Sequence, residues 1–147
     1  MARVPIEPGY FTVPTEDGAS PRLLGSRCDA CGERFFPRRH VCARCLREGC
    51  TDVELGPVGH LFTWTFVHVP LFAKKDRAVN AYGVGQVDLV EGPRVQALLE
   101  GAASEFSIGM EMVLDLETLR TDDDGNEIVT FRFAPVASAT PSPGVEP

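Results

Sequence analysis

The chain has 147 residues, 44% of them hydrophobic, and a formal net charge of −7 at pH 7. This length and composition predict one compact domain of ordinary size with a small appended module. The sequence has neither an apolar run of about 18 residues nor the pattern of a signal peptide, so we expect a cytoplasmic protein without a membrane segment.

Residues 1–22 predict an extended N-terminal arm. They contain three prolines before Asp17 and a turn-rich stretch at 15–21, a composition that favours an irregular segment with little core of its own. We expect such an arm to dock on another surface. At the other end, residues 137–147 contain scarcely a bulky side chain and predict a disordered tail.

Residues 23–52 predict a zinc ribbon. They contain two CxxC pairs separated by ten residues: Cys28, Cys31, Cys42 and Cys45. Two thiolates from each pair can meet around one metal, and four protein ligands leave no open position for substrate, so we predict a structural zinc. Iron with the same ligands and a pair of redox disulfides remain alternatives. Cys50 lies outside the tetrad and is interpreted as a bystander.

The charge is unevenly distributed along the chain. Between Ser20 and Cys50 there are seven arginines and three acidic residues, a net charge of +4, so the remaining residues carry −11. A short basic patch on an acidic protein disfavours nucleic-acid binding, in which many phosphates are neutralised along a track. It suits a ligand with a few phosphates or an acidic partner, and a solvated surface explains any single arginine equally well.

Residues 56–136 predict a barrel. Period-two patterns without intervening helices mark five strands at about 60–69, 79–90, 94–100, 110–117 and 129–133. Five short strands fit a small closed barrel of the OB type, so the predicted class is mainly β. The alternation places Phe62, Trp64, Phe66 and His68 on one face of the first strand. Both faces are partly apolar, so we expect the outer one to be covered by the ribbon or by another protein.

The sequence shows no catalytic constellation. An enzyme should contain a nucleophile with a base, paired carboxylates or an open metal site. His68 is the one histidine with a functional hypothesis, and a packed histidine is the simpler interpretation. The glycines at 83–85 lack the helix of a phosphate-binding loop and are interpreted as a barrel bend. The acidic loop at 121–127 lacks the bidentate glutamate of a calcium site and is interpreted as a turn.

In this order, the ribbon, linker and barrel resemble a known family. The resemblance is carried by LLGSRCDACGERFFPRRHVCARC, GHLFTWTFVHVP, VDLVEGPRVQALLEG, IGMEMVLDLE and FRFAP, and it spans residues 23–135. The chain is similar to bacterial and archaeal proteins that join a rubredoxin-like zinc ribbon to an OB-fold. Members of that family act as accessory subunits of thiolase-superfamily acyl-CoA enzymes.

The resemblance implies a hetero-oligomer in which a thiolase-superfamily partner, an acyltransferase or an aldolase, performs the chemistry. It carries over the four ribbon cysteines as zinc ligands and no catalytic residue. It also implies CoA or acyl-CoA as a ligand of the complex, and the basic ribbon is compatible with CoA phosphates through Arg38 and Arg39. The proline-rich arm stands where family members have a short N-terminal helix.

Two other functions remain open from the sequence. An OB-fold binder of single-stranded nucleic acid would stack bases on Phe62, Trp64 and Phe66, but the charge of −11 outside the ribbon argues against it. A free-standing protein that binds or hydrolyses acyl-CoA would need a nucleophile or base that the sequence does not show. The accessory subunit is therefore the leading prediction, with neither nucleic acid nor membrane among its partners.

Overall fold

A computed structural model of the chain describes residues 2–15, 18–68 and 82–136. The strands are β1 (Arg3–Pro5), β2 (Leu23–Cys28), β3 (Arg34–Phe35), β4 (Cys50–Leu55), β5 (Val58–Val67), β6 (Tyr82–Leu89), β7 (Arg94–Leu99), β8 (Glu111–Thr121) and β9 (Glu127–Pro135), with a 3₁₀ turn at Ala103–Glu105. None of these elements is a helix of the length and apolarity needed to cross a membrane. The tail predicted at 137–147 lies outside the described residues.

Strands β5 to β9 form the closed five-stranded barrel that the sequence predicts. Their order is β9, β7, β6, β5, β8, and β8 pairs back onto β9. All of these pairings are antiparallel except that of β7 with β9, which is parallel. Closure leaves the barrel without a free sheet edge. The mainly β prediction, with an OB-type barrel, is confirmed.

The barrel interior holds most of the hydrophobic core. Along β7 the buried residues are Val95, Ala97 and Leu99, alternating with more exposed ones, and Phe133 of β9 is fully buried. This alternation follows from the two-residue period of a strand. Burying one large apolar side chain contributes about 1.5–3 kcal/mol, so the interior provides the main driving force for folding.

A β-bulge in β5 turns one aromatic side chain outward. Phe62 is an extra residue between two consecutive pairs of the β5–β6 register, and it is 45% exposed. Trp64 and Phe66 pack on the core, with ring centroids 5.3 and 6.5 Å from that of Phe106. The prediction that Phe62 shares a face with these two residues is therefore wrong, because a bulge inverts the alternation beyond it.

Two glycines of β6 provide space inside the barrel. Gly83 and Gly85 stand opposite Phe66 and Trp64 in the β5–β6 register. A Cβ atom on Gly85 would lie 2.7 Å from Cδ1 of Leu99, closer than packed carbon atoms approach. The structure therefore assigns these glycines a packing role beside the large aromatic side chains.

The arm and the ribbon pack against the barrel. The ribbon is a separate three-stranded sheet in the order β3, β2, β4, and β1 of the arm runs parallel to β9. Phe11 of the arm is 4% exposed and belongs to the core. Its ring and that of Phe36 in the ribbon each lie 5.7 Å from the ring of Phe131. The arm thus docks on the rest of its own chain and contributes Phe11 to the core.

Replacing Gly85 by valine is expected to lower the free energy of unfolding by about 1–3 kcal/mol, because the added carbons overpack the space beside Leu99 and Leu61. Urea unfolding followed by Trp64 fluorescence measures the change. Gln86→Ala, on the outward side of the same strand, is the control and should change stability by less than about 0.5 kcal/mol. Equal effects of the two substitutions would contradict the packing role of Gly85.

Candidate metal centre and adjoining basic cleft

The four ribbon cysteines meet at one point between the end of β2 and the loop from β3 to β4. Their Sγ atoms all lie within 4.8 Å of one another. The Sγ atoms of Cys28 and Cys45 are 3.6 Å apart, as are those of Cys31 and Cys42. A tetrahedral site with metal–sulfur bonds of about 2.3 Å has edges of about 3.8 Å, so the four thiolates fit one zinc ion. All are free thiols at these separations, which disfavours the disulfide alternative.

Backbone amides in the CxxC turns point at the sulfur atoms. The amide of Cys31 donates to Sγ of Cys28 at 3.4 Å, and those of Arg44 and Cys45 donate to Sγ of Cys42 at 3.3 Å. These bonds favour the thiolate. They lower the pKa of Cys28 to about 6, against the effect of burial. The pKa of Cys42 is also lowered, because the amides outweigh its burial. The thiolate is the form that binds metal.

The pKa values of the other two cysteines, Cys31 and Cys45, are raised. The Glu33 amide lowers the pKa of Cys31, but burial and hydrogen bonds with the neighbouring thiols outweigh it and raise that pKa to about 11. The pKa of Cys45 is raised as well, since burial and contacts with Cys28 and Cys42 outweigh the Arg47 amide. Without a metal these two cysteines therefore stay protonated, and a bound cation would be needed to hold all four as thiolates.

Cys50 lies next to the tetrad without belonging to it. It stands opposite Cys28 in the β2–β4 register and is half-buried. Burial and the charge of the neighbouring cysteines raise its pKa. A raised pKa keeps Cys50 as the thiol, the unreactive form.

The candidate phosphate-binding residues Arg38 and Arg39 line the same surface cleft. The cleft has a volume of about 610 Å³, lies between the arm and the ribbon, and is also bordered by Tyr10, His40 and Asp52. Nη1 of Arg38 lies 3.2 Å from Oδ2 of Asp52. The backbone amide of Arg39 donates to Oγ of the buried Ser26 at 2.9 Å, which ties this segment to β2. The structure brings both arginines together, with the charge of Arg38 already paired.

Ion pairing also reduces the basic patch elsewhere in the ribbon, because Arg44 forms an ion pair with Glu33 at 2.9 Å. Arg34 keeps its charge and donates a hydrogen bond to the backbone carbonyl of Glu91 at 3.5 Å. The ribbon therefore offers fewer unpaired charges than its sequence indicates. This arrangement suits recognition of a few phosphates better than tracking along a nucleic-acid backbone.

Two secondary candidates from the sequence follow the ends of strands β5 and β8. His68 is exposed, with its ring centroid 5.8 Å from that of Phe66, so the interpretation of a packed histidine is not supported. Asp122 accepts hydrogen bonds from the amides of Asp124 and Asn126 at 2.9 and 2.8 Å, and the Asn126 bond is the main reason that its pKa is lowered. These bonds close the β8–β9 turn and account for the acidic residue without a metal.

The structure adds one surface feature that the sequence did not indicate. The guanidinium of Arg94 lies over the outward-facing ring of Phe62, with Cζ 3.4 Å from the centroid. Asp88 holds this guanidinium with two hydrogen bonds of 2.6 and 3.2 Å. The stacked pair depends on the bulge at Phe62, which turns the ring outward. The sequence does not reveal this bulge, because the strand is apolar on both faces.

A four-cysteine ribbon packed on an OB-fold barrel defines the class of this protein. The ChsH2 rubredoxin-like zinc ribbon domain matches residues 15–49, and the ChsH2 C-terminal OB-fold domain matches residues 52–117. The chain therefore belongs to the ChsH2 family, and the resemblance noted from its sequence motifs is confirmed.

Three similar proteins are a thiolase subunit, a scaffold protein and an aldolase of known structure. The chain is 32% identical over 117 residues to benzoylsuccinyl-CoA thiolase subunit BbsA of Thauera aromatica, covering 80% of this chain and 78% of that protein. It is 30% identical to a DUF35 domain-containing scaffold protein of Methanocaldococcus jannaschii, covering 78% and 82%. The solved Ltp2–ChsH2(DUF35) aldolase superimposes with a TM-score of 0.61 at 30% identity, covering 78% and 84%.

Replacing Cys31 by serine is expected to abolish stoichiometric zinc binding and to unfold the ribbon, because structural zinc contributes about 10–16 kcal/mol to the folding of comparable peptides. Elemental analysis measures the metal, and hydrogen exchange of β2 and β4 amides measures the fold. Cys50→Ser is the matched control and should retain both. Full zinc content in Cys31→Ser would contradict the four-thiolate assignment.

Proposed function

We propose that this protein is a non-catalytic, zinc-containing subunit of a thiolase-type enzyme that forms or cleaves carbon–carbon bonds in acyl-CoA thioesters. The four-thiolate centre is the observation that carries this proposal. A metal whose coordination positions are all filled by protein offers none to a substrate, so its role is to hold the ribbon folded. The similarity to a thiolase subunit indicates the type of enzyme.

The chemistry belongs to the partner in this proposal. Among the described residues, the cysteine outside the tetrad has a raised pKa and His68 contacts an aromatic ring. Neither is arranged as a nucleophile with a base. The chain would instead assemble the enzyme and help to shape its acyl-CoA site.

The outer face of the barrel supports association with a partner. Phe62 and Arg94 form a stacked pair there that Asp88 holds in place. Aromatic residues and arginine are enriched in the energetically important parts of protein interfaces, and a side chain that is already ordered loses little entropy on binding. This face fits one side of a hetero-oligomer.

The basic cleft supports a contribution to CoA binding. Its arginines lie beside the aromatic ring of Tyr10 and the imidazole of His40. Guanidinium groups recognise phosphate oxygens through charge-assisted hydrogen bonds. We propose that Arg38 and Arg39 contact CoA phosphates when the enzyme subunit supplies the rest of the site.

The nucleic-acid hypothesis is disfavoured by the orientation of the aromatic residues. Trp64 and Phe66 pack against the core, and the ring of Phe62 is covered by Arg94 on one face. A stacking platform for bases requires several exposed ring faces along a basic groove.

Turnover of an acyl-CoA substrate is expected only when this chain and its thiolase-type subunit are combined. The partner contributes the reacting groups, and this chain contributes the interface that completes the site. The measurement compares each purified protein with the mixture in a thioester absorbance assay. Turnover by this chain alone, or full turnover by the partner alone, would contradict the proposed function.

The double substitution Arg38→Glu and Arg39→Glu is expected to weaken CoA binding by the complex about tenfold or more, because two charge-assisted contacts become repulsive. Calorimetric titration of the assembled enzyme with CoA measures the affinity. Arg3→Glu with Arg120→Glu changes the net charge equally, outside the cleft, and should leave the affinity unchanged. Equal CoA affinities of the two double variants would contradict a role for Arg38 and Arg39 in CoA binding.

A further inference from the structure

The residue after the second CxxC pair has an unusual backbone conformation. Leu46 has a φ of +65° and is the one non-glycine residue with a positive φ in the described part of the chain. At the matching position after the first pair stands Gly32, with a φ of +79°. The same turn is therefore made once with glycine and once with leucine.

Leucine is an unfavourable choice for this turn. The left-handed region brings its Cβ atom close to the backbone and costs stability that glycine does not lose. The hydrogen bond that closes the turn, from the Leu46 amide to the Cys42 carbonyl at 2.9 Å, involves only backbone atoms. Glycine would form it equally well.

Packing of the Leu46 side chain within its own chain offsets little of this loss of stability. It is 77% exposed, more than any other large apolar residue in the described ranges, including Val90 at 70%. A strained backbone that carries an exposed apolar side chain is an outlier of the kind found at functional sites.

The surroundings of Leu46 have the composition of a small interface. Val41 is also exposed, and its bridge with Glu48 brings it into the same loop. Arg44 and Arg47 flank Leu46 in sequence and both are exposed, although Arg44 also forms the ion pair with Glu33. We call Val41, Arg44, Leu46 and Arg47 the ribbon tip. An apolar centre with a charged rim is typical of a docking surface.

We propose that the ribbon tip inserts Leu46 into an apolar pocket bordered by carboxylates on the acyl-CoA enzyme subunit. Arg47, together with the exposed guanidinium of Arg44 that is paired with Glu33, favours an acidic border by charge complementarity. This inference rests on the proposed function and extends it, because it assigns the ribbon a direct contact with the partner. The metal then serves the interface by holding the turn that presents Leu46.

Leu46→Gly provides a test in which stability and binding change independently. We expect the melting temperature to stay equal or rise, because glycine relieves the backbone strain. We expect affinity for the acyl-CoA enzyme subunit that co-purifies with the tagged chain to fall about tenfold or more, as for the loss of a buried leucine side chain. Calorimetry with the two purified subunits measures this affinity.

Two further variants separate the side chain from the backbone. Leu46→Ala keeps the left-handed turn without the apolar side chain and should weaken binding as Leu46→Gly does. Ile6→Ala removes an exposed apolar side chain from the arm, away from the ribbon tip and from the Phe62–Arg94 surface, and should bind as the wild type does. Elemental analysis of zinc confirms that each variant retains its metal.

The outcomes distinguish this inference from the proposed function. If no acyl-CoA enzyme subunit binds the wild-type chain, the proposed function fails. If the wild type binds and both Leu46 variants bind equally well, only the ribbon-tip assignment fails. A lower melting temperature in Leu46→Gly would overturn it by showing that Leu46 stabilises the ribbon itself. Self-association that is lost in this variant would overturn the choice of partner in favour of a second copy.

Discussion

The convergence of four thiolates on one point is the constraint on which the rest of the ribbon depends. Its sheet has two strands of six residues and one of two, too small to fold on a hydrophobic core alone. One metal ion held by the four thiolates in a tetrahedral site would supply the missing stabilisation. The ordered ribbon can then pack Phe36 against Phe131 of the barrel, which fixes the basic cleft and the ribbon tip relative to β5–β9.

The barrel interior and the ribbon's metal site are both filled by the chain's own side chains. Strands β5–β9 close into a barrel around a packed interior, and the four thiolates would fill every position of a tetrahedral metal. What the described residues offer to other molecules is therefore surface: the cleft of Arg38 and Arg39, the stacked Phe62 and Arg94, and the ribbon tip. These features suit a protein that completes another protein's site, in agreement with its similarity to a thiolase subunit and a scaffold protein.

The metal centre and the barrel were predictable because their determinants are local. CxxC spacing defines each thiolate pair, and period-two alternation defines each strand. Three features were not predictable because they depend on tertiary contacts. The bulge at Phe62 is set by pairing with β6, the burial of Phe11 by packing on Phe131, and the pairing of Arg38 by the position of Asp52. The left-handed turn at Leu46 was missed because leucine carries no signal for a positive φ.

Native mass spectrometry of the tagged chain, purified from its own host, tests the central claim most directly. We expect a hetero-oligomer with a stoichiometric thiolase-type subunit and one zinc ion for each copy of this chain. A zinc-containing chain that is recovered alone, under conditions that preserve other enzyme complexes of the host, would contradict it.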